Sequence, residues 1–387
     1  MQSPVSASFV DFVVLIAFAV GLFVAIGEAR AEPGPSDPPI TAVEASRAMG
    51  VGINLGNTFD YPVHPTDAAS AKAQVSRYAE AGFTNVRIPA TWNDLFPEPM
   101  IDGDGRICVD DARFLGFEAA VDHALDLGLY VIINMHHEKW LKHHFAGADT
   151  QEGRLFVAAW QSIAARFADR SHRLMFEVIN EPEGTQGDWV GEVHPRDPAA
   201  LALTRELNQL GYDAIRGVPG NEKRIVLVAP NAMGNQGLIA DVYPDPSSLP
   251  GGGRDAYLMA TLHTYDPWTF CGQDGSHDVY LSQADPAGAM QRDIDGMVAA
   301  IAAWAETMPV GVHWGEYGIG RHDQTQRDHD LTRLYYRHLT LRLQSHGWGT
   351  SVWDDRGWFA VSSNGATEAE RWPFGIKDAL LEARPAD

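Results

Sequence analysis

Eight short apolar runs punctuate the chain, at residues 50–55, 84–89, 129–135, 174–179, 224–229, 257–263, 310–316 and 350–353. They are rich in Val, Ile and Leu without strict polar alternation, the pattern of strands covered on both faces. Longer stretches between them carry helical periodicity. Residues 112–127 place Phe114, Phe117, Val121, Ala124 and Leu125 along one side, and 157–167 and 330–344 behave similarly. Strand and helix alternating in this way predict an α/β fold, a (β/α)8 TIM barrel forming a single domain over 42–387. The connections after the fifth and sixth strands are long, with Pro244, Pro246 and Gly251 to Gly253. Loops of that length in a compact domain often carry function.

The N-terminus reads as a separate object. Residues 9–26 are apolar except for Asp11, and Ala29 and Ala31 supply the small residues of a cleavage site. Residues 1–31 are therefore expected to be a secretion signal, followed by a proline-rich linker at 32–41. No Lys or Arg precedes the apolar run, which keeps an uncleaved membrane anchor as the alternative.

Composition narrows the partner. The 387 residues carry a formal net charge of -22, a surface that repels phosphate backbones and anionic membranes. A neutral substrate fits, and nucleic acid does not. The 11 tryptophans serve either as core or as platforms for flat ligand faces. Two cysteines, Cys108 and Cys271, are read as free thiols, since a chain of this size does not depend on one disulfide.

The ends of the runs hold the chemistry. TIM-barrel enzymes place their reactive groups at the C-terminal ends of the strands. Here those ends read Asn54 and Asn57, Arg87, His136 and His137, Asn180 and Glu181, His263 and Tyr265, Glu316, and Trp353. Glu181 and Glu316 end the fourth and seventh runs, on opposite sides of such a barrel, so both carboxylates can face one cleft. Two facing carboxylates suit cleavage of a glycosidic bond. One protonates the leaving oxygen, and the other attacks the anomeric carbon or activates a water, according to their separation.

Six segments then resemble one family. Gly52-Ile53-Asn54-Leu55-Gly56-Asn57-Thr58, Asn85-Val86-Arg87-Ile88-Pro89, Ile133-Asn134-Met135-His136-His137-Glu138, Asn180-Glu181-Pro182, His263-Thr264-Tyr265 and Gly315-Glu316-Tyr317-Gly318 resemble the signatures of glycoside hydrolase family 5, in that family's order. The resemblance implies a retaining endo-β-1,4-glucanase that needs no cofactor, metal or protein partner and acts on a polysaccharide outside the cytoplasm. Another β-linked polysaccharide (mannan, xyloglucan or mixed-linkage glucan) is the alternative, and a non-catalytic sugar-binding barrel a further one. Glu181 is implied as acid/base, its pKa raised by the charge of Glu316, and Glu316 as nucleophile held ionised by Arg87. Asn180 is implied to donate to the sugar 2-hydroxyl, Tyr265 to the nucleophile, and Trp353 to form an apolar floor. His263 and His136 are implied to position hydroxyls or the acid/base. Asn57 and His137 join them as supporting candidates, and Trp92 resembles a family tryptophan with an equal claim to be core.

Some features depart from that pattern. After Trp353 the chain reads Asp354-Asp355-Arg356-Gly357-Trp358, where Arg356 is expected either to cross the cleft floor or to pair with Asp355. His136, His137, His143 and His144 invite a zinc reading, but adjacent strand residues point to opposite faces, so these are not expected to converge. Asp102-Gly103-Asp104-Gly105 opens like a calcium loop but lacks the later oxygen ligands and is read as a surface turn. Trp189 and Trp268, in loops, are sugar platforms or loop staples. A phosphate-binding metabolic barrel is the remaining rival, with only Gly318 and Gly320 to support an anion site.

Overall fold

The computed structural model describes residues 38–383. The expected signal or anchor at 1–31 and most of the linker lie outside those residues. Eight parallel strands close into a barrel in chain order: β1 (Val51–Asn54), β2 (Asn85–Ile88), β3 (Tyr130–Asn134), β4 (Leu174–Glu177), β5 (Val226–Val228), β6 (Leu258–Thr264), β7 (Gly311–Tyr317) and β8 (Gly349–Val352). Each falls within or beside one of the eight predicted runs. The outer ring includes α2 (Ala68–Ala81), α3 (Ala112–Asp126), α5 (Gln151–Arg166), α6 (Pro198–Arg216) and the helices Pro286–Ala305 and Asp330–Ser345. Their starts were written locally: Asp67, Asp111, Thr150 and Asp197 each accept a backbone N–H of the first turn.

One helix has a different task. α1 (Ala42–Met49) starts where the linker ends, on a capping box of Thr41 and Glu44. It closes the bottom of the barrel. Ala42, Ala45 and Met49 pack with Ile132 of β3, Met175 of β4, Leu227 of β5 and Met259 of β6 in a cluster separate from the main core. The outward residues of the same strands, such as Val131, Phe176, Val226 and Ala260, belong to the larger barrel–helix core. Strand alternation is therefore present, but both faces are enclosed, which is why it was faint in the sequence.

Moving up the interior, the inward positions turn polar. A middle layer joins Asn85, Ser351 and His313: Ser351 Oγ donates to Asn85 Oδ1 at 2.6 Å and meets His313 Nε2 at 2.9 Å. Above it lie Asn54, Arg87, Asn134, Glu177, His263 and Glu316, all nearly or fully buried. β7 reaches this layer through an irregularity. Leu262 pairs with Trp314 but His263 pairs with Glu316, so Gly315 is an extra residue on β7. A bulge re-aims the side chain beside it. A Cβ on Gly315 would lie 2.7 Å from Thr261 Oγ1 and 2.9 Å from His263 Nε2. Gly315 and Glu316 thus both face the interior, which simple alternation forbids, and only a residue without a side chain fits at the first of them.

Candidate active site

Arg87 organises the top of the barrel. It is fully buried, and all five of its N–H donors are used. Nε and Nη2 grip the two oxygens of Glu177 at 2.8 and 2.7 Å. Nη1 donates to Glu316 Oε1 and Asn54 Oδ1, each at 2.8 Å, and Nη2 to Asn180 Oδ1 at 2.6 Å. The guanidinium fork is therefore matched to Glu177, and Glu316 receives a single bond. Sequence reasoning missed Glu177. Its signal was a lone charge inside an apolar run, in phase with inward-facing Met175. Burial opposes the charge on Glu177, but Arg87 overrides it and holds the carboxyl below its ordinary value.

Glu316 is 4% exposed. Besides Arg87 it accepts from Tyr265 Oη at 2.9 Å. Burial raises its carboxyl above the ordinary value, while His263, Arg87 and Tyr265 favour the charge. Arg87 thus limits a rise without reversing it, a weaker hold than expected. Tyr265 is kept protonated by burial and by Glu316, so it remains a donor.

Glu181 sits beyond the end of β4 with a left-handed φ of 45°. That conformation is costly for a side chain with a Cβ and persists only where the surroundings impose it. Asn180 N donates to Met135 O, and Met233 N to Pro182 O, fixing the segment on both sides. Glu181 Oε1 lies 3.0 Å from His263 Nδ1, and the same nitrogen is 3.8 Å from Glu316 Oε2. One oxygen of Glu181, one of Glu316 and a nitrogen of His263 all lie within 4.8 Å of one another. The Glu181 carboxyl is pushed up to about 7, by burial first, then by Glu183 and Glu177, with Lys142 and Arg87 opposing. The expected cause, the charge of Glu316, gives way to desolvation. Burial lowers His263 to about 4, so it stands neutral between the carboxylates.

The cleft is lined by His136, His137, Glu181, His263, Tyr265, Glu316 and Trp353, with Trp189, Met233, Trp268 and Phe359 along its rim. Trp189 and Trp268 are 51% and 52% exposed. His136 stacks on Trp353, ring centroids 5.9 Å apart and planes 7° apart. His137 does not turn away from His136 as expected. β3 stops at Asn134, alternation stops with it, and the two rings meet edge to face at 4.4 Å. Asn180 Oδ1 is taken by Arg87, but its buried Nδ2 has no acceptor among the described residues. That amide is a donor held ready for a ligand oxygen.

Other expectations resolve differently. Asn57 is not among the lining residues. It occupies a turn with φ 54°, which an asparagine tolerates, and its backbone N–H donates to buried Asp60. Trp92 is core: it is fully buried, packs on Phe117 and donates Nε1 to Asn134 O. Arg356 neither crosses the cleft floor nor pairs with Asp355. It donates to Gly56 O and Thr58 Oγ1, tying the loop after β8 to the loop after β1. Asp354 is the hub of that loop, accepting from Tyr78, Ser362 and three backbone N–H groups. Asp102 to Arg106 is a turn closed on Asp102 Oδ1. Cys108 and Cys271 are both free.

Asp60, His136 and His137 bring one ligand-type atom each within 4.8 Å of one another. The donor set argues against a cation there. Asn134 Nδ2 donates to His136 Nδ1, which fixes the neutral ring with its proton on Nε2. His136 therefore offers a hydrogen bond to a ligand, not a lone pair to a metal. Burial keeps both histidines neutral, His137 at about 3.

Known proteins share this arrangement of segments. The sequence pattern of the family described as cellulase (glycosyl hydrolase family 5) matches residues 47–355. Cellulase/esterase CelE of Acetivibrio thermocellus is 33% identical over 256 residues, 64% of this chain and 29% of that protein. Endoglucanase H of the same organism is 27% identical over 333 residues, 84% of this chain and 31% of that one. The chain thus spans under a third of the length of these two curated relatives. In fold it is similar to a Bacteroides ovatus xyloglucanase solved with a XXXG heptasaccharide, with TM-score 0.73 and 22% identity over 90% of this chain and 77% of that one. A broad-specificity endoglucanase from Clostridium longisporum gives TM-score 0.69 at 20% identity, over 89% and 99%. With the family's pattern running through β1 to β8 and their connecting loops, the chain belongs to glycosyl hydrolase family 5, the cellulase family.

Proposed function

We propose that the protein is an exported, retaining endo-β-1,4-glucanase, with Glu181 as acid/base and Glu316 as nucleophile. The observation that carries this reading is the pair itself: two carboxylates with oxygens within 4.8 Å, in unlike environments. Separations of about 5 Å suit direct attack by one carboxylate, whereas inversion needs a wider gap for a water. Glu181, raised to about 7 and receiving none of the five Arg87 hydrogen bonds, carries the proton. Glu316, bonded by Arg87 and Tyr265, carries the charge.

In the first step Glu316 Oε bonds to the anomeric carbon as the bond to the leaving oxygen breaks, and Glu181 hands that oxygen its proton. In the second, water attacks the same carbon, Glu181 takes the water's proton and Glu316 is released. Asn180 Nδ2 supplies a hydrogen bond to the 2-hydroxyl that tightens as charge develops. His136 Nε2 donates to a hydroxyl of the sugar lying on Trp353. The exposed Trp189 and Trp268 line the same cleft and offer further stacking faces, as a long chain requires. The names of the relatives favour a β-glucan backbone, and the apolar run at 9–26 supports export.

The roles are tested with Glu181→Ala and a β-cellobioside bearing a dinitrophenyl leaving group, which departs without a proton. Glu316 is expected to accumulate as the glycosyl ester, detected by mass spectrometry. Absence of label on Glu316 overturns the assignment.

A further inference from the structure

The short helix α4 (Lys139–Lys142) follows the paired histidines, and its last residue lies against the acid/base loop. Lys142 is 1% exposed, yet its Nζ is 3.8 Å from Glu183 Oε1, longer than a hydrogen bond. A buried ammonium ordinarily gathers close acceptors, because an unpaired buried charge is costly. Here it is balanced instead by a field of carboxylates: Glu183, Glu181, Glu138 and Glu316. The backbone fixes this approach. The single Thr185 hydroxyl proton lies between Phe145 O at 2.8 Å and Lys142 O at 3.2 Å. Gly184 has φ +63°, and a Cβ there would come within 2.6 Å of Lys142 O. The turn from Glu181 to Thr185 is thereby pressed on to the end of α4.

We propose that Lys142 is a positioning residue that stabilises the Glu181 carboxylate after it has given up its proton, and that Glu183 moderates this effect by drawing on the same ammonium. The inference rests on Glu181 being the acid/base. In the first half-reaction Glu181 passes from neutral acid to anion in a site where burial disfavours the anion. A fixed cation that never touches the sugar lowers the energy of that state in place of water. The other titratable groups acting on Glu181 are Arg87 on β2, Glu177 on β4, His263 on β6 and Glu316 on β7, while His136, His137 and Glu138 act on Lys142. Arg87 is already committed through its five bonds, and the histidines are neutral. Lys142 is not committed to hydrogen bonds in that way, and of the groups acting on Glu181 it exerts the largest pull toward ionisation.

The experiment is the pH profile of kcat/KM for the full chain on an aryl cellobioside with a poor leaving group, where protonation limits the rate. Lys142→Met, which preserves volume, is expected to move the basic limb upward by about one pH unit. Glu183→Gln, a change at a quarter-exposed position, is expected to move it downward. A purely structural role lowers activity without shifting the two limbs in opposite directions, and that result overturns the proposal. Should Lys142→Met not fold, Glu183→Gln decides alone: an unmoved or raised limb overturns it. Glu181→Gln separates the two readings. If the wild-type limb survives in that variant, Glu181 is not the acid and the reading above falls. If the limb depends on Glu181 yet ignores both neighbours, only the present inference falls.

Discussion

The two ends of the barrel interior are built from the same inward positions of the same strands, yet they are opposites. On β4, Met175 packs against α1 at the bottom, and Glu177, two residues on, meets Arg87 at the top. On β6, Met259 and His263 divide in the same way. The lower end is flexible thioether and aliphatic packing, tolerant of shape. The upper end is a network in which Arg87, Asn54, Asn134, Asn180, Glu177 and Glu316 hold one another by directional bonds. A half-satisfied polar network is worse than none, so a change at the upper end disturbs the geometry of the reacting groups, whereas a change at the lower end is felt in packing alone. Stability is concentrated at one end and chemistry at the other.

Substitutions at each end sharpen that division. Glu316→Gln is expected to lower kcat at least about 10⁴-fold, because the nucleophile is lost, while circular dichroism shows a folded protein. Appreciable turnover would place the nucleophile elsewhere. At the other end Met175→Ala is expected to remove about 3 kcal/mol of stability in urea titrations and leave KM and kcat within a factor of two or so. A large kinetic effect would show that the ends are coupled. Glu181→Gln tests how far the upper end trades stability for reactivity. Its carboxyl rises from 4.5 to about 7 on folding, so its contribution is fully present below the unfolded value and is lost as pH rises through about 7. The variant should therefore gain about 3 kcal/mol on wild type between about pH 4 and pH 9, measured by paired denaturation curves. A constant difference across that range would refute the shift. The smallest effect is expected at the rim. Trp189 lies 5.3 Å from the Arg196 guanidinium, itself held by Asp241 at 3.0 Å. Trp189→Ala should raise KM for cellohexaose several-fold, about 1 kcal/mol, without altering hydrolysis of an aryl glucoside that ends at the scissile bond. Equal losses on both substrates would make Trp189 a loop staple.

What the sequence showed and what it hid follow the same axis. The strands were legible because enclosure on both faces leaves an apolar run whichever side a residue takes. Glu181, Glu316, Arg87, His263 and Tyr265 were legible because polar groups at strand ends break such runs. Glu177 and Asn134 lie inside the runs and were absorbed by them. Lys142 was hidden because nothing local distinguishes a buried lysine on a four-residue helix from a solvated one. The partners of Arg356 lie some three hundred positions earlier in the chain, beyond any local pattern. His137 was misplaced because alternation was carried one step past the point where β3 ends. The source of the Glu181 shift was misassigned because burial depends on the whole cleft.

The extra residue at Gly315 bears on any effort to move this centre into another protein. A graft that copied β7 residue for residue, Gly315 included, on to a regular strand would turn Glu316 toward the surrounding helices, on the same side as Trp314. The transplant keeps the carboxylate inside only if the surplus glycine is seated as a bulge or left out, since a glutamate placed directly after the Trp314 position faces the interior by alternation alone.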